Sequence, residues 1–134
     1  MASDGAMGAF FDHGKRTAAW CAIAAIAVLS LLPADEVAPI RTSLGGHFEH
    51  VAAYALTSLI AALAYIDHSR LKITVSLILY AAVLEYLQRF SPGRLSSLVD
   101  LMFSSTGVML GMVAFQALRQ LRERYRTVSG GGTR

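Results

Sequence analysis

Four apolar stretches, each about as long as the hydrocarbon core of a bilayer is thick, leave this chain few ways to fold. A segment that enters hydrocarbon must satisfy its own backbone N–H and C=O groups, so stretches of this length read as helices. They run from about Thr17 to Pro33, His50 to Ile66, Leu71 to Phe90 and Ser97 to Leu118. A chain of 134 residues has room for one domain, and its 54% apolar content and mean hydropathy of +0.49 exceed what a soluble domain of this size carries. The expected fold class is an all-α membrane protein with four transmembrane helices. A soluble bundle of unusually greasy helices is the competing reading.

The segments between the stretches support this division. Lys15 and Arg16 precede the first stretch as they precede a start-transfer segment. A cleaved signal peptide is the alternative; Ala34-Asp35-Glu36-Val37-Ala38 offers no clean small-x-small site, which favours retention. Pro33, Pro39 and Gly45-Gly46 punctuate a polar loop from Ala34 to Glu49. Only Asp67-His68-Ser69-Arg70 separates the second stretch from the third, which predicts a tight antiparallel hairpin. Ser91-Pro92-Gly93 is a turn signal, since proline fixes φ and glycine tolerates positive φ. After Leu118 the chain turns basic and then glycine-rich from Ser129 to Gly132, which predicts a disordered tail. The domain plan is a cytoplasmic segment over 1–15, a membrane domain over 16–119 and a basic, Gly-rich cytoplasmic tail over 120–134.

Orientation follows from the basic residues. With four spans, Lys15, Arg16, Arg70, Lys72, Arg119, Arg122, Arg124, Arg126 and Arg134 share one side, against Arg41, Arg89 and Arg94 on the other. The positive-inside rule then places both termini and the hairpin tip in the cytoplasm, in a multi-pass protein of the bacterial inner membrane. This topology accounts for the net charge of +3, and no basic patch interleaved with aromatics suggests nucleic acid. Cys21 is the single cysteine, so no intrachain disulfide can form, and it reads as a small packing residue.

Unusual polar residues gather at the external helix ends. His47, Glu49, His50 and Tyr54 open the second stretch; Glu85, Gln88 and Arg89 close the third; Arg94, Ser97 and Asp100 open the fourth. Glu85 and Gln88, spaced i, i+3, share a face, as do His50 and Tyr54 at i, i+4. An ionisable residue at the depth of Glu85 faces the bundle or a wet cavity, and Arg94 is the obvious partner for its carboxylate. Two readings stay open: a structural ion pair that staples two helix ends, and a polar pocket of His50, Tyr54, Glu85, Gln88, Arg94 and Asp100. His50 is by type the general-base candidate, although a solvated or capping histidine is commoner. Ser97-Leu98-Val99-Asp100 is a capping-box-like pattern that explains Asp100 without function. Ser104, Gly107, Gly111 and Ala114 form a small-residue stripe suited to close helix packing. No metal site is expected, because His47, Glu49 and His50 lack metalloprotease spacing and no cysteine pair helps. No cofactor is expected either, in the absence of a phosphate-cradling loop or dinucleotide fingerprint.

The run Glu49-His50-Val51-Ala52-Ala53-Tyr54, then Leu84 to Arg94 with Glu-x-x-Gln ahead of Pro-Gly-Arg, then Asp100 and the Gly107 to Gly111 element resemble the VanZ-like family. The resemblance covers about residues 46–111. Two departures stand out: Gly46-His47 where the family commonly has Asp-Lys, and Ser104 where it has Asn. The family's named member is associated with low-level resistance to the glycopeptide teicoplanin, and the resemblance supplies no defined reaction, substrate or catalytic residue. It implies a membrane protein whose partners are the bilayer and an envelope lipid, precursor or glycopeptide. The alternatives are an enzyme acting on a lipid-linked envelope precursor, with Glu85 or His50 as acid or base, and a structural or assembly protein using the glycine stripe.

Overall fold

The computed structural model describes residues 2–38 and 45–130, and every regular element among them is a helix. The order is α1 (Ala2–Leu31), α2 (Ala34–Val37), α3 (Gly46–Ala64), α4 (Arg70–Gln88) and α5 (Leu98–Gly130). Within the polar loop after α1, Pro39 and Arg41 lie outside the described residues.

α3 is the central helix. It packs most extensively on α5 and also touches α1 and α4. The closeness of the α3–α5 seam follows from two glycines. A Cβ on Gly107 would collide with the Val51 carbonyl oxygen and stand 3.0 Å from the Tyr54 Cβ; one on Gly111 would collide with the Ala55 carbonyl oxygen and stand 2.8 Å from the Ser58 Cβ. Backbones that approach this closely bring polar groups into reach across the seam, and Ser58 donates to the Val108 carbonyl at 2.8 Å. Around the seam the core is small, with Ile26, Leu77, Ala81, Leu84 and Val108 packed about Tyr54.

The outer surface is apolar. Val75, Leu79, Val83 and Tyr86 form an exposed stripe along α4, and Met102, Met109, Leu110 and Val113 are exposed on α5. Apolar surface of this extent is anomalous in water and ordinary against lipid tails. Cys21 also faces outward rather than packing inside, a correction to the sequence reading.

Among the described residues, three segments are long and apolar enough to cross a membrane: Phe11–Leu31 within α1, Arg70–Gln88, and Leu98–Ser129 within α5. The α3 helix equals α4 in length at 19 residues but opens with His47, Glu49 and His50 and is not among these segments. α5 differs from expectation at its far end, continuing as helix to Gly130 instead of stopping near Leu118. Arginine, glutamine, leucine and glutamate propagate helix readily, and Arg119 pairs with Glu123 one turn on at 2.9 Å. Residues 131–134, including Arg134 and the end of the glycine run, lie outside the described residues.

Candidate functional site at the polar end of the bundle

Three chain segments meet where α1 ends, α3 begins and α4 turns into α5. The last carbonyls of any helix lack intrahelical partners, which is costly away from water. Here the turn after α4 supplies them. Arg94 donates from Nη2 to the Leu29 carbonyl at 2.8 Å and from Nε to the Leu32 carbonyl at 3.3 Å, and Ser91 Oγ donates to the Leu31 carbonyl at 2.7 Å. A cation at a helix C-terminus also suits the negative end of the dipole. The Ala34 N–H returns a bond to the Pro92 carbonyl at 3.2 Å. Gly93 sits at φ +71°, with a built Cβ 3.1 Å from the Ala34 side chain, so the turn needs glycine for conformation and for room.

Glu85 is 6% exposed, and its Oε1 accepts the Ser97 backbone N–H. Ser97 Oγ in turn accepts the Val99 N–H at 3.2 Å, which makes Ser97 the N-cap of α5. In a capping box the residue three places on would reach back to the cap N–H. Asp100 holds that place in sequence and does something else: its Oδ1 accepts from His47 Nδ1 at 2.7 Å. His47 is stacked on Phe103 at 4.6 Å between ring centroids. Glu85 therefore completes the α5 cap from α4 and leaves Asp100 to tie α5 to the start of α3. One turn deeper, His50 Nδ1 and Ser104 Oγ form a second α3–α5 hydrogen bond at 3.1 Å.

A cavity of about 240 Å³ opens beside these ties. Its wall is apolar toward the bundle, through Ile26, Leu29, Val37 and Ala53, and polar at Ser30, Glu49, His50, Tyr54 and Arg94. Tyr54 is only 3% exposed and places its ring at the junction of cavity and core. The combination can hold an amphiphilic molecule, with a charged or hydrogen-bonding part against His50 and Arg94 and an apolar part against α1.

The structure redistributes the six residues singled out from sequence. His50, Tyr54 and Arg94 line the cavity, whereas Glu85, Gln88 and Asp100 are absent from its wall. An ion pair between Glu85 and Arg94 was one of the two sequence readings; here Arg94 donates to the bare carbonyls at the end of α1, and Glu85 accepts the bare N–H of Ser97. Gln88 is buried at 3% exposure on the same face of α4 as Glu85. Sequence reasoning missed Ser30 and Val37. Nothing in the pattern of α1 or of the short α2 marks them, since their roles arise only when α1 docks on the turn after α4. Ser91 was read only as part of that turn, not as the partner of the Leu31 carbonyl. Among the described residues, no group of three His, Cys, Asp or Glu side chains converges as metal ligands do.

In comparisons with known proteins, the family model described as VanZ/LLP1 matches residues 10–119. No curated protein and no solved structure matches the chain.

Proposed function

Because the chain belongs to the VanZ/LLP1 family, we propose that it is a four-span protein of the bacterial inner membrane whose polar end binds an envelope component or a glycopeptide antibiotic outside the cell. The cavity walled by His50, Tyr54 and Arg94 is the observation that carries this reading. Its amphiphilic lining suits a ligand with an anionic or hydrogen-bonding part and an acyl or prenyl part, as lipid-linked envelope precursors and teicoplanin-type molecules have. The fourth span is α3, which lies in the centre of the bundle, packed on α1, α4 and α5, with the exposed His47 at its outer end. Four passes, with the basic residues of α1, the α3–α4 connection and α5 kept inside, put both termini in the cytoplasm and the cavity outside.

The test is teicoplanin and vancomycin susceptibility of a Gram-positive host expressing this chain, beside His50→Ala and Tyr54→Ala versions matched for membrane level. Wild type is expected to raise the teicoplanin concentration needed for inhibition and both variants to lose the effect. Equal protection by all three would exclude the cavity as the working site.

An enzyme acting on a lipid-linked precursor is the second reading, and the His50–Ser104 contact favours it, since a histidine against a hydroxyl is the geometry of base and nucleophile. Ser104 is 2% exposed and lies outside the cavity wall, which weighs toward binding instead. Turnover of a lipid-linked precursor by purified protein, abolished in Ser104→Ala, would reverse that order.

A further inference from the structure

The opposite end of the bundle holds a second cavity, of about 350 Å³, between the start of α4 and the middle of α5. Arg70, Gln116, Arg119, Gln120 and Glu123 line it, a set with four donor-bearing side chains and one carboxylate. Arg70 lies over the Phe115 ring with its guanidinium carbon 5.4 Å from the centroid. Its Nε–H is buried and has no hydrogen-bond partner among the described residues. A guanidinium cannot shed its proton to escape that cost, so Arg70 keeps its positive charge beside the cavity.

Two further features add positive potential. Arg119 contributes a second guanidinium, half-exposed and held at 2.9 Å by Glu123. α4 starts at Arg70, and its N-cap, Ser69, makes no side-chain capping bond, so the first N–H groups of the helix remain available beside the cavity. Glu123, paired with Arg119, opposes an anion and leaves the two arginines and one glutamate of the lining with one net positive charge. At the same end Trp20 donates to the Tyr65 hydroxyl at 3.0 Å and Arg16 lies over the Tyr65 ring at 5.6 Å, an aromatic and basic grouping typical of headgroup depth.

We propose that this cavity binds a phosphate group, with Arg70 and Arg119 donating to its oxygens. An anionic phospholipid and free phosphate offer the same chemistry, and the depth of the site favours the lipid. Thermal unfolding of the purified full chain in detergent tests this with three probes: dioleoylphosphatidylglycerol, dioleoylphosphatidylcholine, and inorganic phosphate at fixed ionic strength. Phosphatidylglycerol is expected to raise Tm above phosphatidylcholine, with its apparent affinity reduced roughly ten- to a hundredfold in Arg70→Gln. Arg119 is half-exposed, so Arg119→Gln supplies the same test if Arg70→Gln does not fold. Glu123→Gln, which frees Arg119, should strengthen binding by about two- to fivefold, a gain that a merely structural role would not produce. An equal shift from inorganic phosphate, lost in the same variants, would assign the site to free phosphate and uphold it. Shifts of equal size from both lipids, shifts that survive both arginine substitutions, or no shift from any probe would overturn the proposal.

Discussion

Glu85 is the residue on which the polar end turns. A carboxylate buried in a helix bundle invites an acid–base role, yet its bond to the Ser97 N–H gives it a structural task first. Glu85→Ala leaves that N–H without its acceptor and is expected to cost about 1–3 kcal/mol of stability. Glu85→Gln keeps an acceptor oxygen and should cost less, a difference readable by thermal unfolding in detergent. Ser97→Ala removes the cap itself and is expected to cost about 0.5–2 kcal/mol. Because Ser97 offers its N–H to Glu85 and its hydroxyl to Val99, Glu85→Ala and Ser97→Ala should be non-additive in a double-mutant cycle. Arg94→Ala strips donors from the α1 carbonyls and is expected to destabilise by about 1–3 kcal/mol, so its effect on function must be read at matched membrane level. Much of this was legible from residue type: Glu85 and Asp100 stood out because charge is expensive in an apolar helix, and Arg94 as a cation close to them in sequence. Which partner each takes was not, because Arg94 answers to the end of α1, a segment some 60 residues earlier whose docking no local pattern encodes.

Among the elements, the α3–α5 seam sets the shape of the site. Gly107 and Gly111 let α5 lie against the backbone of α3, and that closeness allows His47 to reach Asp100 and His50 to reach Ser104. Gly107→Ala and Gly111→Ala force the helices apart and are each expected to cost about 1–3 kcal/mol through overpacking. The loss should appear in thermal unfolding and, at the polar end, in changed histidine resonances. Glycine at i, i+4 in an apolar helix was readable as a packing stripe, whereas its partner helix was not, since a stripe fits any backbone that comes close. The turn at Ser91-Pro92-Gly93 was readable too, because Gly93 takes the positive φ that its sequence context calls for. Gly93→Ala is expected to cost about 1 kcal/mol or more, given the left-handed backbone and the nearby Ala34 side chain. The helix over residues 119–130 escaped notice because the boundary was drawn where the apolar block ends and the run of arginines from Arg119 begins.

For the molecule as a whole, the same apolar blocks that forecast helices also explain why so many large side chains remain on the surface. Lipid, in place of a protein core, is the counterpart of Leu79, Val83, Met109 and Val113. α3 opens with His47, Glu49 and His50 and is not among the three segments apolar enough to cross, so the four-span proposal rests on its place in the centre of the bundle. Whether the cavity meets the outside of the cell depends on α3 being a full span and on the positive side staying in. Impermeant maleimide labelling of intact cells, in a Cys21→Ser background carrying either Ser96→Cys or Asp67→Cys, tests directly on which side of the membrane the cavity end of the bundle lies. Ser96 and Asp67 are exposed at opposite ends of the bundle. Labelling of the Ser96→Cys protein in intact cells, and of the Asp67→Cys protein only after permeabilisation, is the predicted result. The reverse pattern, or labelling of both before permeabilisation, would contradict an outward-facing cavity.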